Sequence, residues 1–214
     1  MSKNFAYSNS QGELLVKLAR KSLTTYLQEG VNIPIPKDIP EILQKKSGIF
    51  VTLNVYEKGK EKLRLRGCIG RPYPSLPLVK ATIDSAIDSG IHDPRFSHVK
   101  LSDLDKIVFE ITALTPPVKI EANTPQGRID AVEIGIHGLI IERTKALPGH
   151  GGLFLPQVPV EWHWNKEEYL TQLCGKAGIQ GNMWKKIELT NLYKFRGEIF
   201  HEIKPNGKIE RKIL

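Results

Sequence analysis

The sequence predicts an α+β protein, a mostly antiparallel sheet flanked by helices. Three observations predict it. Segments rich in Ile, Val, Phe and Thr, at residues 48–56 and 107–115, read as strands. The first is followed by a turn, Glu57-Lys58-Gly59-Lys60, and then by Leu63-Arg64-Leu65-Arg66-Gly67-Cys68-Ile69-Gly70, which returns as its hairpin partner. Helical patterns are scattered irregularly among the strands instead of alternating with them in ~30-residue βαβ units. With no internal repeat and no low-complexity linker, residues 1–214 read as a single domain.

Taken in order, Ser10-Gln11-Gly12-Glu13 has the spacing of a capping box. Leu15, Leu18, Ala19, Ser22, Leu23 and Tyr26 then recur at helical spacing until Gly30 stops the helix. Residues 31–36 are extended, because Pro34 and Pro36 restrict the residues before them. Asp38 is expected to cap a short helix with Pro40 early in it. After the hairpin and the proline-rich loop 71–77, residues 78–90 form a helix with Val79, Ile83, Ala86 and Ile87 on one face. Asp93-Pro94-Arg95-Phe96 is a tight connection, and residues 102–105 a cap or turn. The strand 107–115 ends at Pro116-Pro117. Thr124-Pro125 starts a short helix, and a strand or hairpin follows around His137-Gly138. Residues 147–152 are a glycine-rich loop, and Phe154 and Leu155 are extended. Asn165 with Glu168 caps a helix running to about Gly175, residues 187–201 are strand-rich, and residues 203–214 read as a tail.

Composition narrows the class. Of 214 residues, 40% are hydrophobic and 25% charged, which suffices for a core without disulfides or metals. No apolar run is long enough for a transmembrane helix, and residues 1–12 lack the pattern of a signal peptide, so the expected location is the cytoplasm. The two cysteines have no CxxC and no histidine at ligand spacing, so no metal site is expected. Cys68 and Cys174 could pair if they meet in space, which a reducing compartment disfavours outside hyperthermophiles. The net charge of +8 concentrates at residues 58–71 and 185–212. A basic surface attracts nucleic acid or anionic surfaces, but no nucleic-acid motif accompanies it.

The candidate site centres on Leu63 to Arg71, where three arginines, two glycines and a cysteine fall within nine residues. On a regular strand Arg64, Arg66 and Cys68 would share one face. Neighbouring guanidinium groups favour a thiolate, and Gly67 and Gly70 permit close approach by another group. A thiol nucleophile needs a base, and His92, His137, His150 and His163 are candidates that spacing does not discriminate. The competing reading makes Cys68 a small packed hydrophobe. Asp93 and Arg95 offer a carboxylate and a guanidinium two residues apart, suited to a ligand or to pinning a turn with Phe96 as its apolar anchor. His137 beside Gly138 reads as a polar group or a base. Gly149-His150-Gly151-Gly152 lacks the context of a phosphate loop. Glu161 among Trp162, His163 and Trp164 could line a pocket or pack, and Gln157 could orient a ligand or hold a loop. Cys174, at helical spacing with Leu170, is expected to face the core.

Several segments together resemble the AMMECR family, named for the Alport syndrome, midface hypoplasia and elliptocytosis chromosomal region. Leu65-Arg66-Gly67-Cys68-Ile69-Gly70 is similar to its LRGCIG signature, and Asp93-Pro94-Arg95-Phe96 to its DPRF element. Glu110 to Pro116, Gly135-Ile136-His137-Gly138-Leu139, Gly152 to Val158 and Cys174-Gly175-Lys176-Ala177-Gly178 resemble further family segments in the family's order. Phe154 stands where leucine is commoner. The resemblance implies a larger and a smaller lobe, with the signature strand facing a cleft between them. It implies no defined activity and no known cofactor. It also implies a pathway link to Memo-like and radical-SAM proteins.

Three functional readings follow. The first is a protein that binds a small molecule or a protein partner in a cleft lined by the signature strand, with Arg64, Arg66, Gly67, Gly70, Asp93, Arg95, His137, Gln157 and Glu161 as ligand contacts. The second is a cysteine-dependent enzyme using Cys68 on a small anionic substrate held by Arg66 and Arg95. The third is sequence-nonspecific nucleic-acid binding through the basic stretches. The first two expect Cys68, Arg95, Gln157 and Glu161 to meet in space.

Overall fold

The computed structural model describes residues 6–59, 63–147, 149 and 151–212. In chain order these form α1 (Asn9–Glu29), α2 (Glu41–Gln44), β1 (Ile49–Val55), β2 (Arg64–Arg71), α3 (Leu78–Ile87) and β3 (Ile107–Leu114). Then come β4 (Val118–Lys119), α4 (Pro125–Asp130), β5 (Gly138–Arg143), β6 (Gly152–Phe154), α5 (Val158–Glu161) and α6 (Lys166–Lys176). The last elements are β7 (Thr190–Phe195), β8 (Gly197–Glu202) and β9 (Ile209–Lys212). The expected α+β class is what the chain adopts, but with two sheets in place of one. Its described residues divide into two compact units, those up to 115 together with 198–212, and those from 116 to 197.

The first unit carries a five-stranded sheet in the order β2-β1-β3-β8-β9. β1 pairs antiparallel with both β2 and β3, and β8 pairs antiparallel with β9. Ile49, Val51 and Leu53 alternate inward from β1 and meet Phe109 and Ile111 of β3, Leu15 and Leu23 of α1 and Ile83 of α3 in one core. Burying each such side chain contributes roughly 1.5–3 kcal/mol. α1 starts two residues earlier than the sequence suggests. Its cap is Ser8, whose Oγ accepts from Gln11 N while the Gln11 amide oxygen accepts from Ser8 N, whereas the Ser10 hydroxyl lies only 2.9 Å from that of Ser8. Gly30, at φ 72°, ends the helix as expected. Asp38 does not cap α2; Pro40 precedes it without a side-chain cap.

The expected tail contains β9, whose Ile209–Lys212 pair with Ile199–Glu202. Arg211 fixes it, with Nη1 donating to Glu198 at 2.7 Å and its guanidinium 4.4 Å from the centre of the Phe200 ring. Four residues that include Glu, Arg and Lys have little strand propensity, so tertiary contacts decide here. Lys60 of the expected turn, and Ile213 and Leu214 of the tail, lie outside the described residues.

The second unit carries the sheet β4-β7-β5-β6. Leu139, Ile141, Tyr169, Leu170, Leu173, Cys174, Trp184 and Leu192 form its core. Cys174 is fully buried, as its spacing predicts. Asn165 and Glu168 form the expected capping box of α6. His137-Gly138 is not a hairpin turn. A turn at residues 134–136 precedes it, and Gly138 begins β5, where a Cβ would lie 2.4 Å from the Phe195 ring. Sequence patterning missed β4 and α5, which are only two and four residues long.

Candidate functional site

β2 is the edge strand of the first sheet, and its exposed edge is held by the segment that follows α3. One wide helical turn, Asp88–His92, carries the chain from α3 to Asp93. The Asp93 side chain is 2% exposed. Its Oδ2 accepts the Cys68 N–H at 2.8 Å and Arg95 Nη2 at 2.7 Å, and its Oδ1 accepts Arg95 Nε at 2.9 Å. Arg95 Nη2 also donates to the Cys68 carbonyl at 3.0 Å. The DPRF turn thus satisfies both main-chain groups of Cys68, as a neighbouring strand would. The hydrogen-bonded Arg95 guanidinium holds the Asp93 carboxyl well below the usual carboxylate range, against the upward push of burial. Phe96 is only half-buried and stacks under the Arg95 guanidinium at 5.5 Å, and the buried apolar residue of this segment is Val99. Phe96 is therefore not the core anchor that the turn reading expects.

The strand does not alternate regularly. Leu53 faces Gly67 but Asn54 faces Leu65, so Arg66 is an extra residue in a β-bulge. Paired residues point to one side of a sheet. Leu65 therefore shares the face of Cys68, and Arg64, paired with Val55, takes the other. The expected common face of Arg64, Arg66 and Cys68 is broken by this one insertion. Arg66 turns to donate to the carbonyls of Ser97 at 2.7 Å and His98 at 3.1 Å. Arg71 binds Asp88 Oδ2 and Ser85 Oγ of the α3 region. Arg66, Arg71 and Arg95 thus bond the protein itself, and Arg64 is the exposed arginine of the strand.

The two glycines have distinct reasons. A Cβ on Gly67 would lie 2.0 Å from the carbonyl oxygen of Ser89, so the strand packs against that turn without a side chain. A Cβ on Gly70 would lie 2.3 Å from the Ile49 carbonyl oxygen and 2.4 Å from the Phe50 ring, which covers it on the Cys68 face. Ser89 Oγ accepts Ile69 N at 2.9 Å and lies 2.8 Å from the Val51 carbonyl, tying the turn to β1 and β2.

The Cys68 side chain points away from the core of the first unit. Thr52 pairs with Cys68 on one side and with Glu110 on the other, so the three form a row across β2, β1 and β3. All three are half-buried. The Thr52 hydroxyl lies 3.3 Å from Cys68 Sγ, within reach to donate to it. Glu110 lies 3.6 Å from the Lys212 ammonium of β9. Thr52 and Glu110 were missed because partners across strands are not adjacent in sequence. Turn geometry normally fixes a hairpin register, but the bulge shifts it by one.

His137, Gln157 and Glu161 belong to the second unit, whereas Arg64, Arg66, Gly67, Cys68, Gly70, Asp93 and Arg95 belong to the first. The His137 ring is buried, and Nδ1 accepts the Glu133 N–H at 3.1 Å. Burial first, and then the cations of Lys194 and Arg196, lower its pKa and favour the neutral ring. The Gln157 carbonyl accepts from Val160 and Glu161, which starts α5. Glu161 is exposed, and Trp162 stacks on Trp164, which packs with Phe154 and Tyr169. Of the other histidines, His92 Nδ1 lies 2.8 Å from Asp88 Oδ1, His163 is exposed with φ 54°, and His150 lies outside the described residues. Both cysteines are free thiols. Among the described residues no group of three His, Cys, Asp or Glu side chains could hold a metal ion, and no helix is long and apolar enough to cross a membrane.

Comparison with known proteins gives a consistent picture. A family model described as AMMECR1 matches residues 16–200. Protein PH0010 of Pyrococcus horikoshii is 47% identical over 210 residues, 98% of each chain. Protein PYRAB00100 of Pyrococcus abyssi is 47% identical over 203 residues, covering 95% of this chain and 96% of its own. The crystal structure of PH0010, described as an uncharacterized protein, superposes with a TM-score of 0.77, covering 98% of this chain and 100% of that one.

Proposed function

This chain belongs to the AMMECR1 family, whose relatives in hand are uncharacterized proteins of undefined activity, and we propose that it binds a ligand or protein partner through the sheet face that carries Cys68. The observation that carries this reading is the division of labour around Cys68. Its backbone is fully used by Asp93 and Arg95, while its side chain stands on the other face of the sheet in line with Thr52 and Glu110. A strand pinned at its edge offers a preorganised face, and preorganisation lowers the entropic cost of binding. The row presents a soft sulfur, a hydroxyl and a carboxylate, with the Phe50 ring beside them as an apolar shelf. Because Arg66 and Arg95 bond protein acceptors, their part is to hold the strand in shape, and the contact groups are Cys68, Thr52 and Glu110.

One observation favours the enzyme reading as well. The Thr52 hydroxyl is within reach to donate to the Cys68 sulfur and so hold the thiol in place on the exposed face. Alkylation of the Cys174→Ser protein by iodoacetamide across a pH series separates the readings. Reaction of Cys68 in the native protein is the expected result for a contact face. A midpoint well below the ~8.5 of a free thiol would turn the proposal toward catalysis. A thiol silent until the protein is denatured would sink both.

A further inference from the structure

A second site lies on the opposite, helix-bearing side of the first sheet. A cavity of about 340 Å³ opens between α1 and the turn joining β8 to β9. That volume is at the lower end of the range for small-ligand pockets. Arg20 and Glu202, both buried, line it together with Lys17, Lys21, Thr24 and Thr25. On α1 the last four fall at i, i+4, i+7 and i+8, which brings them to one helix face. Asn206, Gly207 and Ile209 close the other side.

The charges of this cavity do not balance. The Arg20–Glu202 pair is satisfied internally: Nε donates to Glu202 Oε1 at 2.6 Å, Nη2 to Oε2 and to the Ile107 carbonyl, and Nη1 to the Leu104 carbonyl. The same carboxylate accepts Phe109 N at 3.0 Å. Four of the five N–H donors of Arg20 are thereby used, leaving one on Nη1. Lys17 is shared with Glu13 at 2.6 Å, an exposed pair of small worth. Among the described residues the Lys21 ammonium, the Thr24 and Thr25 hydroxyls and the Asn206 amide have no partner. A set of unused donors around a neutralised floor is complementary to an anion with several acceptor oxygens.

We propose that this cavity binds a small phosphate ester, with Lys21, Thr24 and Thr25 receiving the phosphate and Ile209 flanking the remainder of the molecule. The probes are ribose 5-phosphate, with ribose as the neutral control, and inorganic pyrophosphate. Each is titrated into the full-length ¹⁵N-labelled protein at constant ionic strength. The expected result is saturable movement of the Thr24, Thr25 and Gly207 amides with both phosphate probes and none with ribose. Lys21→Gln should weaken binding about tenfold or more, and Thr24→Val with Thr25→Val should do the same without unfolding the helix. Either variant retaining full affinity would overturn the proposal. So would shifts confined to other residues, or shifts that persist when salt replaces the probe at equal ionic strength.

Discussion

The Asp93 carboxylate holds the Cys68 N–H at 2.8 Å, and Arg95, which it orients, holds the Cys68 carbonyl at 3.0 Å. Two residues 25 and 27 positions away thus do the work of an adjacent strand at the sheet edge. The signature strand and the DPRF turn are one device, and its product is the fixed position of the Cys68 side chain.

Replacing Asp93 by Asn should destabilise the first unit by about 1–3 kcal/mol, since each hydrogen bond to a charged group contributes roughly that much. Arg95→Ala should cost at least as much, because it leaves the buried Asp93 carboxylate with main-chain donors alone. The pH dependence has a definite sign. The folded-state pKa of Asp93 is depressed, chiefly by Arg95, so its stabilising contribution is complete above the unfolded value of ~3.9 and is withdrawn as the pH falls below it. Denaturant melts from pH 2 to 7 should show a shallower acid limb for Asp93→Asn than for the parent. Parallel limbs would refute the assignment.

Gly67→Ala should be a damaging single methyl in the signature strand. Its Cβ would meet the Ser89 carbonyl at 2.0 Å, and that carbonyl is backbone of a residue whose side-chain Oγ is tied to β1 and β2. Overpacking of this kind costs about 1–3 kcal/mol or more. Gly30→Ala meets nothing within 4 Å and pays only the strain of φ 72°, about 1 kcal/mol. Thermal melts of the two variants should rank them in that order.

Local signals in the sequence carried much of this fold. Periodicity and caps marked α1, α3 and α6, and β-branched runs marked β1 and β3, because those elements bury one face in a regular rhythm, while the turn after β1 marked β2 as its hairpin partner. β4, α5 and β9 escaped, since a two- to four-residue element has no rhythm to read. At the candidate site, the neighbourhood of Cys68 and Arg95 was legible. Their relation was not: Arg95 grips the Cys68 carbonyl and leaves the thiol to Thr52. A single bulged residue, Arg66, was enough to invalidate the alternation argument for Arg64.

His137 should make the second unit sensitive to mild acid. Its folded-state pKa lies below the ordinary ~6.5 because burial disfavours the imidazolium, with Lys194 and Arg196 adding repulsion. Its favourable contribution is therefore present above pH ~6.5, and is lost as the pH falls from there toward the folded value, where the unfolded chain takes up a proton that the native ring resists. His137→Gln should remove that slope between pH 5 and 7 in melts followed by Trp fluorescence. An unchanged slope would assign it to another group.

Glu202→Gln should destabilise strongly, by about 3–5 kcal/mol, because it leaves the Arg20 guanidinium buried opposite a neutral amide. Replacing both residues, Arg20→Met with Glu202→Leu, should recover most of that loss, since an apolar pair of similar volume avoids desolvating two charges. The double-mutant cycle, measured by urea denaturation, distinguishes an ion pair retained for stability from one retained to shape the floor of the α1 cavity. Recovery of stability together with loss of pyrophosphate binding is the expected combination.

The Thr52–Cys68 contact gives the most direct test of what the signature strand presents. Thr52→Val keeps the volume and shape of the side chain but removes the donor that lies 3.3 Å from Sγ. Thr52→Ser keeps the donor and loses only a methyl. If the hydroxyl supports the sulfur, alkylation of Cys68 at fixed pH in a Cys174→Ser background should slow several-fold in the Val variant and recover in the Ser variant. Cys174 would not compete even if present, because it is fully buried and burial pushes its thiol pKa up. Equal rates in all three proteins would mean that Thr52 is only a neighbour, and that the row across β2, β1 and β3 is a shape and not a chemical arrangement.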